Sequence, residues 1–154
     1  MKEQVLGVCI ERLSKEPCII RNKDEVEQMI SHGGLVGRLF FARDERVIPG
    51  WKGPKTKGML FVAMNTIPAN GIVSAHWHDM EELWYFTSGE GILIDSAGER
   101  KVRTGDGLYV TPNGMHEVIA GKDPVDFLVL AAELPGVPYE HGYFEPIDKV
   151  TLEA

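Results

Sequence analysis

Residues 71–89 read GIVSAHWHDMEELWYFTSG. Ile72 to His78 and Glu82 to Ser88 are short runs of β-branched and aromatic residues, the composition of strands, and Asp79-Met80-Glu81 supplies the turn between them. Side chains two apart on a strand point to the same face. His76 and His78 therefore share one face while Trp77 points to the other. Glu82 opens the returning strand and brings a carboxylate back toward the same point, with Trp84 and Phe86 following on its face. A third imidazole, His116, comes just after the turn Pro112-Asn113-Gly114. Three imidazoles and one carboxylate suit a divalent first-row ion. The predicted ligand set is His76, His78, Glu82 and His116.

The strand pattern continues outward from this hairpin. Runs at 35–43, 59–67, 91–96, 99–104, 107–112, 116–120 and 126–134 are separated by Gly, Pro, Asn and Asp. That rhythm predicts an all-β sandwich or barrel. Residues 44–58, rich in Gly, Pro and Lys, read as a loop, and 135–154 as an irregular arm. One helix is expected at 22–32: Asn22 with Glu25 three residues on has the spacing of a capping box, Val26, Met29 and Ile30 share a helical face, and Gly33-Gly34 ends it.

The chain has 154 residues, the size of one domain, and 44 % of them are hydrophobic, enough for one core. Charged residues reach 25 % with a net charge of −7. No basic excess exists to neutralise phosphates, which argues against a nucleic-acid partner. No apolar run approaches the roughly 20 residues that span a bilayer, and the charged start is unlike a signal peptide. Cys9 and Cys18 read as thiols in a reducing compartment, with a bridge between them as the alternative. A cytoplasmic location is the expectation.

The residues around the histidines resemble the two motifs of the cupin superfamily. Gly71, His76, His78, Glu82 and Gly89 match the first, with four residues rather than five between Gly71 and His76. Gly105, Pro112, Gly114 and His116 match the second, with Ala120 in place of its final Asn. One residue is added before Pro112 and one is missing after Gly114, so the spacing from Gly105 to His116 is that of the motif. The resemblance covers roughly residues 59–134. It implies a double-stranded β-helix, or jelly-roll barrel, spanning 1–154 as a single domain: an N-terminal strand and helix extension at 1–45, the barrel core at 59–134 and a C-terminal arm at 135–154. It implies one divalent metal ion per chain, Fe, Mn, Ni, Co or Zn, near the middle of the barrel.

Four protein ligands on a six-coordinate ion leave positions for water or substrate, as a catalytic site requires. The resemblance extends to isomerases, lyases, decarboxylases and dioxygenases acting on a sugar, organic acid or aromatic compound. The metal would serve as a Lewis acid or an oxygen-activating centre. The alternative is a binding or sensing cupin that holds a small ligand without transforming it; a structural storage role is a third. Ser74, Trp84, Phe86 and Met64 are the expected pocket residues, and only one of Tyr109 and Val110 can face inward. Glu81 reads as a solvated charge. His141, in the tail near Tyr139 and Tyr143, reads as a surface histidine, with a place over the pocket mouth as the alternative. Arg38, Lys55 and Lys57 read as solvated charges, with contact to an anionic substrate as the alternative. The chain is expected to form a homodimer, an additional N-terminal strand extending the partner's sheet.

Overall fold

The structure is a computed structural model that describes residues 16–137 and 139–143. Eleven strands carry it: β1 (Gln28–Ser31), β2 (Leu35–Ala42), β3 (Phe61–Ile67), β4 (Ile72–His78), β5 (Glu81–Ser88), β6 (Glu90–Asp95), β7 (Gly98–Arg103), β8 (Gly107–Val110), β9 (His116–Ala120), β10 (Val125–Ala132) and β11 (His141–Tyr143). They form two antiparallel sheets. One has the order β1-β2-β3-β10-β5-β8 and the other β11-β4-β9-β6-β7. Consecutive strands β4 and β5 thus lie in different sheets, the crossing that builds a jelly roll. The all-β class is as expected. Among the described residues no helix is long and apolar enough to cross a membrane.

The core lies between the sheets because each strand alternates. Along β5, Glu82, Trp84 and Phe86 are buried while Leu83 and Tyr85 are exposed. Phe127 and Val129 on the neighbouring β10 and Val73 and Val118 on the opposite sheet are buried with them. Trp84 stacks on Phe127 with centroids 4.4 Å apart, the offset arrangement aromatic pairs favour. Val110 is the buried member of its pair, and exposed Tyr109 donates its hydroxyl to Glu81 Oε2 at 2.7 Å, which gives Glu81 a partner beyond solvent. Gly89, between β5 and β6, is required: its φ is +81° and a Cβ there would overlap the Pro124 carbonyl oxygen.

Two segments differ from expectation. The predicted helix at 22–32 is a single 3-10 turn, Lys23–Glu25, followed by β1. Asn22 does cap it, its Oδ1 accepting from Asp24 N at 2.9 Å. Beyond that turn, the backbone hydrogen bonds of 28–31 go to β2 instead of into a helix. Gly34 N–H bonds to Ser31 O, so Gly33-Gly34 closes a hairpin and ends no helix. β1 therefore extends its own chain's sheet; residues 1–15 lie outside the described ones, and Cys9 with them. Cys18 is exposed and free. The second difference is in the arm, which contributes β11, paired with β4 through His141↔His78 and Tyr143↔His76.

A charged cluster ties the loop after β2 to the end of β10. Arg43 and Arg46 both bind Glu133, and Arg46 also holds Asp44 at 2.7 Å. Hydrogen bonds from Arg46 hold the Asp44 carboxyl well below the usual range, and those from Arg43 do the same for Glu133. A carboxyl whose folded value is depressed adds stability above its unfolded value, near pH 4, and loses it as pH falls toward the folded value. Glu133→Gln is therefore expected to lower the melting temperature at pH 7 by on the order of 2 °C, since partly exposed pairs contribute little each. The difference should shrink below about pH 4. Melting curves from pH 3 to 7 check it, and a difference that grew in acid would refute the tie.

Candidate metal centre

β4 does not run straight through the site. Its pairing with β9 is irregular between Val73 and His76, and the Ala75 N–H released there donates to the buried Glu117 carboxylate at 3.2 Å. Such an irregularity re-aims a side chain. It brings His76 directly opposite His116 in the register. The start of β9 is fixed to the end of β4 as well, because Asn113 N–H donates to His78 O at 2.7 Å. His76, His78 and His116 are all buried, and one nitrogen of each lies within 4.8 Å of the others. These three residues could hold a metal ion.

The ring nitrogens divide the same way in all three. His76 Nδ1 meets Ser74 O at 2.7 Å, His78 Nδ1 meets Met80 O at 3.1 Å and His116 Nδ1 meets Gly114 O at 2.9 Å. A carbonyl can only accept, so Nδ1 carries the proton in the neutral ring and Nε2 keeps its lone pair. This main-chain anchoring is what orients imidazole ligands in metal sites. His116 Nε2 is buried and has no hydrogen-bond partner among the described residues. A buried acceptor left this way is costly unless something else takes its lone pair. The donor set fits a borderline divalent ion.

Glu82 stands beside the cluster. It is buried, its Oε2 lies 3.5 Å from His78 Nε2, and the same oxygen accepts from Trp84 Nε1 at 2.6 Å. Burial alone would raise its carboxyl, but His78 and the Trp84 indole hold it below its ordinary value. Burial works against a charged His78, yet Glu82 beside it leaves that imidazole raised. His116 is lowered, chiefly by burial. A carboxylate kept ionised next to imidazoles is the charge pattern a cation site needs.

His76 and His78 open into a cavity of about 260 Å³, which His116 does not line. Its walls include Met29, Leu35, Leu39, Phe61 and Ala63, with His76, His78, Glu82 and Trp84 at one end. Trp84 is thus on the wall. Met64, Ser74 and Phe86 are not. Met64 follows inward Ala63 on β3, so alternation turns it to the outer face. Phe86 is fully buried under Trp84 and Phe127. Ser74 acts through its main chain, accepting from His76 Nδ1 and donating to His32 O at 2.9 Å. Of the cations, Arg38 lies on the wall and Lys55 and Lys57 do not. The side chain of His141 is outside what the structure describes.

Several wall residues escaped the sequence reading, His32 and Asn65 among them. His32 lies in the β1–β2 turn with φ +47°, and its ring centroid is 4.5 Å from that of His76. Gly33 beside it must be glycine, since its φ is +83° and a Cβ would overlap Ser74 Oγ. The HGG run at 32–34 was the available signal, but a turn of this kind looks the same as a helix end until its partner strand is known. Asn65 lies on β3.

Residues 63–131 match the model of the Cupin domain family. No match to a curated protein was found. Among solved structures, the polyketide cyclase RemF from Streptomyces resistomycificus superposes with a TM-score of 0.64 at 16 % identity, covering 90 % of this chain and 94 % of that one. A predicted oxalate decarboxylase from Thermotoga maritima gives 0.59 at 17 %, covering 75 % and 100 %. A sugar phosphate isomerase from Silicibacter pomeroyi gives 0.59 at 19 %, covering 80 % of each chain. At these identities the likeness is one of fold.

Proposed function

For a chain whose residues 63–131 match the Cupin domain family, we propose metal-dependent catalysis on a small organic molecule, with His76, His78, Glu82 and His116 as the ligands. The observation that carries this is the shared anchoring of the three imidazoles: each Nδ1 is held by a main-chain carbonyl, and the buried His116 Nε2 has no partner among the described residues. Fe, Mn, Ni, Co or Zn bound there would supply Lewis acidity or, for iron, oxygen activation. The chain's own part is to place and isolate the reacting molecule. Apolar residues on the cavity wall exclude water, and the Trp84 N–H fixes the Glu82 carboxylate in a rotamer that faces His78.

The similar structures carry the names of a polyketide cyclase, a predicted oxalate decarboxylase and a sugar phosphate isomerase, three different reactions. We therefore propose no narrower substrate class than a small organic molecule. The test is elemental analysis of protein purified without chelators, followed by a screen of sugars, organic acids and aromatic compounds with and without oxygen. Product formation that requires the bound metal is the expected result. A ligand that binds tightly and is recovered unchanged under both atmospheres would move the protein to the binding-module class.

A further inference from the structure

Asn65 sits in the middle of β3, on the face shared by buried Ala63 and Ile67, and it lines the same cavity as His76 and His78. Its carboxamide makes no hydrogen bond to any described residue. An amide offers two donors and two lone pairs, and it shares the wall with the apolar Leu35, Leu39, Phe61 and Ala63 as well as with Ser31, His32 and Arg38. A polar group placed on such a wall and given no protein partner is available to a ligand.

Directly across the β2–β3 ladder from Asn65 is Gly37. Its φ is not in the left-handed region, so backbone conformation does not demand a glycine there. A Cβ at 37 would stand 3.1 Å from Asn65 Oδ1. Glycine inside a strand weakens it and marks places where something must approach closely. Here it keeps clear the space beside the amide. Arg38, the cation on this wall, follows Gly37 along β2 and pairs with outward Met64, so alternation turns its side chain to the opposite face of the sheet.

We propose that Asn65, in the space left by Gly37, recognises a neutral hydroxyl or carbonyl oxygen on a small carboxylate whose acid group is held at the histidine cluster. This rests on the metal reading above. An amide donates to a carbonyl and accepts from a hydroxyl, so it serves either oxygen. The volume of about 260 Å³ keeps the ligand small.

The test uses Co(II)-loaded protein titrated with ligand pairs that differ by one oxygen: propionate against 3-hydroxypropionate, and propionate against pyruvate. Binding is followed through the visible Co(II) spectrum and by calorimetry. Wild type should prefer the oxygenated member in at least one pair. Asn65→Leu should cut that preference by about fivefold, the weight of one hydrogen bond. The isosteric Asn65→Asp should abolish any preference for pyruvate, because it has no donor and repels the anion. Gly37→Val should reproduce the loss with the amide still present. Co(II) affinity should be unchanged in all three. Preferences unaltered by Asn65→Leu and Asn65→Asp, or a wild-type spectrum that none of the three acids perturbs, would overturn the inference. If wild type takes up no Co(II), the metal reading itself fails and this one with it, an outcome told apart by the uptake measurement alone.

Discussion

Replacing His76 and His78 together with alanine is expected to take bound divalent metal from about one ion per chain to background. The two imidazoles supply two of three buried nitrogens that lie within 4.8 Å of one another. His116 alone, even with Glu82, cannot hold an ion against water. The loss should also show in stability. A ligand that binds only the folded state stabilises it by about 2.7 kcal/mol at a hundredfold excess over its dissociation constant. Added metal should therefore raise the melting temperature of the wild type and leave that of the double variant where it is. The variant's circular dichroism must match that of metal-free wild type, since His78 is 1 % exposed and its removal opens space in the wall. Equal metal content in the two proteins would dismiss the assignment.

Glu82→Gln is the second large effect, and the reason lies in its neighbour. Trp84 Nε1 already donates to Glu82 Oε2 at 2.6 Å. An indole can only donate, so in the variant the amide oxygen must take that bond and the NH2 group is left facing His78. A donor then points where a cation is to sit. Metal affinity is expected to fall by at least the 10- to 100-fold, roughly, that follows disturbance of a ligand's supporting contacts. Turnover per bound ion should fall further, because the formal charge that balances the ion is gone. Metal occupancy must be measured in each sample so that an empty site is not mistaken for a catalytic defect. Trp84→Phe separates the two contributions: it keeps the carboxylate and removes its orienting donor, and should fall between wild type and Glu82→Gln. A glutamine variant that holds metal as tightly as wild type would remove Glu82 from the ligand set.

What could be read from the chain alone was whatever depends on a short period. His76 and His78 share a face because strands alternate, and no other part of the molecule is needed to know it. The same holds for Glu82, Trp84 and Phe86 on β5, and for the run 72–78, whose predicted and observed bounds coincide. Segment 22–32 failed for the opposite reason. The cap at Asn22 is real, yet it also satisfies a single 3-10 turn. Val26, Met29 and Ile30 fit a helical face, but in the fold Met29 and Ile30 both border the cavity and Ile30 is 70 % exposed. The edge of β2, where Arg38 pairs with Gln28 and Leu35 with Ser31, offered this backbone its hydrogen bonds.

The pocket depended still more on distant partners. The inward face of β5 was legible, but Trp84 reaches the cavity and Phe86 does not, because Phe127 of β10 and the opposite sheet fill the space over Phe86. Met64 and Asn65 are adjacent in sequence, and only the register against β2 shows that Asn65 faces Gly37 within the cavity. By itself the sequence determined the fold class and the shared face of His76 and His78, since both follow from alternation and turn chemistry within a few residues, whereas His116 meets them through the β4–β9 register. Tertiary structure alone decided where Glu82 stands, which walls enclose the cavity and that His32 lies against His76, because those outcomes are set by packing between strands far apart in the chain.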